Sequence, residues 1–255
     1  MKKIKGKDHD KQSKAGKKKL PKSQTGAPVR DEKPDISEAG AEAKTVSASD
    51  AGKNREDRPV KGFPIVGIGA SAGGLMAFES FLSTMPADTG SGMAFVLVQH
   101  LAPDHKSILS NLIKNYTRMQ VYEVGDGMEI KPNCFYIIPP NRDMAILNGR
   151  LHLFEPSKPR GLRLPIDYFF RSLAQDQHDR AICIVLSGTG SDGTQGVRAI
   201  KGEGGMVMAQ DPESTEYDGM PRSAIATGLV DYVLKPADMP PTRLGKGCCR
   251  FPPKS

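Results

Sequence analysis

The feature that most narrows the fold is a set of short apolar runs with no polar alternation. Residues 63–69 read FPIVGIG, residues 93–98 MAFVLV and residues 181–186 AICIVL. A strand with one wet face alternates in polarity, so a strand apolar at every position is covered on both faces. Helical spacing follows the first run: Leu75, Met76, Phe78, Phe81, Leu82 and Met85 recur within residues 73–85, and Pro86 ends the pattern. Further helices are predicted over residues 106–116, over 165–175 with Pro165 at the start, over 194–201 and over 221–227. Weaker strands are read at 121–124, 134–138, 205–209 and 230–234. Two extended runs, 144–147 and 150–154, flank Asn148-Gly149, a pair that supplies the positive φ angles of a tight hairpin turn. The predicted class is α/β: a doubly wound, mostly parallel sheet with helices on both faces and an added antiparallel β-hairpin.

Charge divides the chain. Residues 1–60 hold 16 Lys/Arg and 10 Asp/Glu, almost the whole of the net +7, and the first aromatic residue is Phe63. Such a stretch cannot bury enough apolar surface to offset the entropy of ordering, so it is expected to be a disordered, lysine-rich tail. Ten lysines lie within residues 1–22. They could grip nucleic acid or an anionic membrane, but no aromatic side chains accompany them for base stacking. The reading preferred is a solvated tail, with no nucleic acid partner. No apolar h-region follows the basic N-terminus, and no apolar run approaches the roughly 20 residues that span a bilayer. A cytoplasmic protein without membrane insertion is expected. Cys183 sits inside an apolar run, and the adjacent Cys248 and Cys249 lack zinc-ligand spacing. No metal, cofactor or disulfide framework is predicted.

In open parallel sheets, sites form beyond the carboxyl ends of the strands. Three apolar runs end there in complementary chemistry. The first ends in Gly69-Ala70-Ser71-Ala72-Gly73, the second in Gln99-His100, and the third in Ser187-Gly188-Thr189-Gly190-Ser191-Asp192-Gly193. A helix of ~12 residues descends ~18 Å, and a strand of ~6 residues climbs back ~20 Å. Ser71 and His100 therefore return to the same edge. Gly69-x-Ser71-x-Gly73 has the form of a nucleophile elbow, in which a sharp strand-to-helix turn lifts the serine clear. The helix start beyond Ala72 aims free N–H donors at the place where an oxyanion would develop. His100 is the candidate base and Asp192 the carboxylate that orients it. Each alone is ambiguous: the glycines could mark any turn, His100 could be a structural residue, and Asp192 could cap its own helix. A dinucleotide-binding reading of Gly67-x-Gly69-x-x-Ala72 lacks the acid that fold wants at the second strand tip, where Gln99-His100 stand.

These residues and their order resemble the catalytic domain of chemotaxis protein-glutamate methylesterases (CheB type). The blocks are GIGASAGG at 67–74, VQHLAPDH at 98–105, YIIPPNRDM at 136–144, LSGTGSDGTQG at 186–196 and AQDPESTEYDGMPRSAI at 209–225. The order serine, histidine, aspartate fits that family and differs from ordinary α/β-hydrolases. The resemblance implies hydrolysis of glutamate γ-methyl esters on the cytoplasmic domain of a methylated chemoreceptor, with glutamine deamidation as a related activity. It implies Ser71 as nucleophile, His100 as base and then acid, and Asp192 as orienter. Ala72, Gly73, Thr189 and Met220 are implied at the oxyanion site and cleft. Thr189 stands where the family often has methionine, and Ala72 where many members carry threonine.

The resemblance covers residues 61–236 as the catalytic domain, with an atypical, unstructured tail expected over 237–255. A lysine-rich stretch occupies the place of the family's receiver domain, so regulation by a receiver of its own is not expected. The subtype resembles esterase domains fused to receptor methyltransferases, which makes such a methyltransferase a further candidate partner. Residues 239–255 do not read as the amphipathic helix expected to close the sheet, and a truncation or shifted reading frame would explain that. Ala72, Thr189 and this C-terminus motivate one alternative, a catalytically weak module that binds a receptor or sensor.

Overall fold

The computed structural model describes residues 62–85, 91–99, 106–156, 162–240, 242–243 and 249–250. The lysine-rich stretch of residues 1–60, and His100 with it, lie outside the described residues. The elements run β1 (Ile65–Ala70), α1 (Gly74–Ser83), β2 (Ala94–Gln99), α2 (Lys106–Tyr116), β3 (Gln120–Glu123), β4 (Met128–Glu129), β5 (Cys134–Ile137), β6 (Asp143–Leu147), β7 (Arg150–Phe154) and α3 (Pro165–Gln177). They continue through β8 (Ala181–Val185), α4 (Thr194–Gly202), β9 (Met206–Gln210), α5 (Gly219–Ile225) and β10 (Tyr232–Leu234) to the short pair β11 (Thr242–Arg243) and β12 (Cys249–Arg250).

Seven strands form one sheet in the order β10-β9-β8-β1-β2-β5-β3, and every pairing in it is parallel. The predicted doubly wound sheet is thus present. From β1 the chain winds outward through β2 on one side; from β8 it winds outward through β9 on the other. Right-handed crossovers then force helices onto opposite faces in the two halves. Accordingly α1 and α2 cover one face, packing Phe78, Phe81, Leu82, Leu109 and Ile113 under Val66, Ile68 and Ala70. On the opposite face, α3 and α4 pack Ile166, Phe169, Phe170, Leu173, Val197 and Ile200. Successive side chains of β1 thus enter two different cores. That is why the run shows no alternation, and each fully buried large side chain contributes about 1.5–3 kcal/mol.

Gly69 has no side chain because α3 leaves no room for one: a Cβ there would overlap the Ile166 side chain. The helix rides directly on the end of β1. The hairpin lies outside the main sheet. β6 and β7 pair antiparallel about Asn148 (φ 52°) and Gly149 (φ 70°), and β4 joins them in a separate three-stranded sheet. That sheet is tied to α3, where Ser172 Oγ accepts the Ile146 N–H at 3.0 Å.

Past β10 the chain returns to α1. Thr84 Oγ1 donates to the Ala237 carbonyl at 2.6 Å, and Met239 is fully buried among the α1 side chains. Among the described residues, no helix is long and apolar enough to cross a membrane.

Candidate active site

The two halves of the sheet diverge between β1 and β8. Such a switch point leaves a crevice beyond the strand ends, because neighbouring loops depart in opposite directions. Ser71 is the first residue past β1, and the loop from Leu186 to Gly193 leaves β8 beside it. The two are stitched by the main chain: Leu186 N–H donates to Gly69 O at 2.9 Å, and Ser71 N–H to Ser187 O at 2.9 Å. On the other side, Ala70 of β1 lies in register with Gln99 of β2. The residue that follows Gln99 is His100, whose placement is not described.

After Ser71 the chain reverses sharply into α1. Gly73 takes the left-handed conformation (φ 72°, ψ −2°) at the helix N-cap, and Gly74 N–H closes the turn onto Ser71 O at 3.0 Å. Glycine is required at 73 on two counts. The φ angle disfavours any Cβ, and a Cβ would come within 2.5 Å of Ser187 Oγ. A sharp strand-to-helix turn is thus present at Ser71, with its left-handed residue at Gly73, whereas Gly69 serves helix packing.

Met220 is fully buried in the first turn of α5. Its N–H donates to Gly188 O at 2.9 Å, and its Sδ occupies the space a Cβ on Gly188 would need; that same Cβ would lie 3.0 Å from Ser71 Cβ. Met220 and Ser71 therefore flank Gly188 together. Thr189 is exposed at the top of the same loop.

Asp192 is 3% exposed. Its carboxylate accepts the N–H groups of Ile166 at 3.2 Å, Asp167 at 2.8 Å and Gly193 at 2.9 Å. The first two belong to the opening turn of α3, so Asp192 mainly caps that helix and not the α4 helix that follows it. Three main-chain N–H donors thus hold the carboxylate in one orientation. Because Ile166 also packs on Gly69, the carboxylate is anchored above the end of the strand that delivers Ser71.

Two residues here were assigned no role from the sequence. Asp167 is 5% exposed and accepts the Gly196 N–H of α4 at 2.8 Å. Burial raises its carboxyl above the usual range; the amide donors of α4 pull it back, and the charge of Asp192 pushes it up again. A signal was available, because Asp167, Phe170 and Ala174 share one buried helical stripe. Ser187, 1% exposed, is the other. Its N–H donates to Gln210 Oε1 at 2.8 Å, and its Oγ reaches Ala72 O and Thr215 Oγ1, each at 2.7 Å. In the sequence it stands at the head of the loop beyond the 181–186 run and within the block at 186–196, with nothing to mark its partners. Among the described residues, no cluster of His, Cys, Asp and Glu is arranged to hold a metal ion.

Comparison with known proteins agrees with this architecture. Residues 66–242 match the family described as CheB methylesterase. A putative protein-glutamate methylesterase/protein-glutamine glutaminase of Leptospira interrogans is 34% identical over 168 residues, 66% of this chain and 86% of that protein. An uncharacterized 104.1 kDa protein from the hypE 3' region of Rhodobacter capsulatus is 48% identical over 126 residues, which is 49% of this chain but only 13% of that protein. Against the protein-glutamate methylesterase/protein-glutamine glutaminase of Thermotoga maritima, the match spans 54% of the relative. The crystal structure of the Thermotoga maritima CheB methylesterase catalytic domain superposes with a TM-score of 0.64 at 31% identity, covering 69% of this chain and 95% of that one. A parallel seven-stranded sheet with this switch point, and a match across residues 66–242, place the chain in the CheB methylesterase family.

Proposed function

We propose that the chain is a serine hydrolase that demethylates glutamate γ-methyl esters on the cytoplasmic domain of a chemoreceptor. The observation that supports this reading is a sharp turn at Ser71 at the same switch point where Ile166, packed on Gly69, donates its N–H to the buried Asp192 carboxylate. Family membership supports the ester as substrate, since relatives bear the name protein-glutamate methylesterase/protein-glutamine glutaminase.

In this mechanism Ser71 Oγ attacks the ester carbonyl while His100 takes its proton. The carbonyl oxygen becomes an oxyanion, held by N–H donors of the Ala72–Gly73 turn at the positive end of α1. Collapse breaks the bond to the methoxy group, which leaves as methanol after His100 returns the proton. Water, deprotonated by His100, then splits the glutamyl-enzyme and frees a γ-carboxylate and Ser71. Asp192 orients His100 and balances its transient positive charge. Met220 and Thr189 border the cleft. Glutamine deamidation follows the same path with ammonia as leaving group. The protein acts in the cytoplasm, where a receptor methyltransferase would work in opposition to it.

Methanol release from a methylated receptor domain tests the reading. Ser71→Ala should lower turnover by roughly 10³-fold or more while keeping the fold. Near wild-type release by that variant would overturn it.

A further inference from the structure

Ser187 has been given no chemical role above, yet its own atoms tie together the ends of three strands. Its carbonyl accepts the Ser71 N–H after β1. Its N–H is held by Gln210, the last residue of β9, whose amide in turn grips Ser214 O at 3.3 Å and Ser214 Oγ at 3.1 Å. Its hydroxyl faces Ala72 O and Thr215 Oγ1.

The direction of these bonds follows from what each atom can do. Ala72 O at 2.7 Å and Tyr217 O at 3.4 Å are carbonyls and only accept, so Ser187 Oγ donates its proton to the nearer Ala72 O. The Ser187 oxygen is then free to accept, so Thr215 Oγ1 donates its proton to Ser187. Thr215 Oγ1 in turn accepts the Tyr217 N–H at 3.1 Å. A single directed chain results: Tyr217 N–H to Thr215, Thr215 to Ser187, Ser187 to the Ala72 carbonyl. Hydrogen bonds in such a chain polarise one another and strengthen together.

The chain ends on the peptide that matters. In a trans peptide, C=O and N–H point in opposite directions. Gly74 N–H holds Ser71 O and so fixes the Ser71–Ala72 peptide plane. The Ser187 hydroxyl holds Ala72 O and so fixes the next plane, Ala72–Gly73. With both carbonyls engaged, the N–H groups of Ala72 and Gly73 each have one direction. We infer that Ser187 is a positioning residue for the Ser71 turn: its hydroxyl, fed by Thr215, locks the Ala72–Gly73 peptide and thereby the two N–H donors that follow the nucleophile. The inference rests on the reading of Ser71 as nucleophile.

The test compares Ser187→Ala, Ser187→Thr and Thr215→Val in the full chain. Three readouts are taken: the rate at which a fluorophosphonate labels Ser71, amide hydrogen exchange at Ser71 and Gly74, and the KM for methanol release. Displacing donors by about 1 Å costs up to ~10²-fold in rate. Ser187→Ala should therefore label about 10- to 100-fold more slowly and exchange faster at both amides, with methanol-release KM unchanged. Thr215→Val, which breaks the chain one link earlier, should fall between it and wild type. Ser187→Thr, which restores the hydroxyl, should recover most of the rate. Wild-type labelling and exchange in Ser187→Ala would overturn the inference. So would equal loss in Ser187→Ala and Ser187→Thr tracking a lowered unfolding midpoint, which would mark a packing role. If Ser71 takes no label even in the wild-type chain, the nucleophile reading fails, and exchange decides the positioning role by itself: unchanged rates overturn it and faster rates support it.

Discussion

Asp192 and Asp167 cap each other's helices. Asp192, just ahead of α4, accepts the first-turn N–H groups of α3; Asp167, in the first turn of α3, accepts the Gly196 N–H of α4. Neither helix has a side-chain cap of its own, for Leu164 and Gly193 stand at the N-cap positions. A helix start left unsatisfied in the interior is costly, so the exchange stabilises both helices and fixes one of the two carboxylates where the proposed chemistry needs it.

Asp192→Asn separates the two duties of that carboxylate. The amide has one acceptor oxygen, and its NH₂ group would face N–H donors of α3. Stability should fall by about 1–3 kcal/mol in denaturant unfolding. Turnover should fall much further, on the order of 10³- to 10⁴-fold, if the carboxylate also orients the base. A loss of turnover no larger than the stability change explains would argue for capping alone.

Asp167 predicts a pH effect on stability. Its carboxyl binds a proton more tightly in the folded protein than at the ordinary value of 3.8. A raised acid of this kind contributes stability that is fully present below 3.8 and is lost as pH rises through the folded value, because the native state then holds more protons than the unfolded one. Asp167→Asn removes that titration while keeping an acceptor for Gly196. The unfolding free energy of the variant minus that of wild type should therefore increase, the variant gaining stability relative to wild type, as pH is raised from about 3.8 towards neutrality. Parallel pH profiles for the two proteins would refute it.

Gly196 sets how closely α3 and α4 approach. A Cβ there would overlap Phe170 Cβ, an atom fixed to the backbone of α3. Gly196→Ala raises intrinsic helix propensity but must push the helices apart. The net effect should be destabilisation of about 1–3 kcal/mol, with turnover reduced beyond that because both carboxylates shift. Unfolding midpoints at several denaturant concentrations check the first part, and methanol release checks the second.

Cys183 lies in the centre of the sheet, fully buried in β8. Burial pushes its thiol well above the ordinary range, and only the thiolate reacts. Iodoacetamide at pH 8 should leave the Cys183 peptide unmodified in the folded protein and alkylate it once denaturant is added. Mass spectrometry of the digested protein reads both states.

Much of this was legible in the sequence, and the reasons are local. The apolar runs at β1, β2 and β8 mark strands buried on both faces, and α2 spans the residues its periodicity predicts, Lys106–Tyr116. Asn148-Gly149 announces its turn because both residues must take positive φ. What was not legible is set by distant parts of the chain. β4 has two residues and no run to detect. The insertion of β5 between β2 and β3 depends on tertiary pairing alone. At the site, Ser71 and Asp192 carry motif signals, whereas the Ser187 hydroxyl and the Asp167 carboxylate bind main-chain groups of distant residues, Ala72 O and Gly196 N–H, and such partners leave no mark in the sequence.

The bond between Ser187 and Ala72 joins groups 115 residues apart in the chain. A nascent chain emerging from a ribosome completes the serine turn long before its brace exists. Contacts of such separation form late, since loop closure must come first. The proposed centre is therefore expected to be completed late in folding, when β8 pairs beside β1. Any partly synthesised or partly unfolded form that retains the first half of the sheet would display Ser71 without the constellation around it.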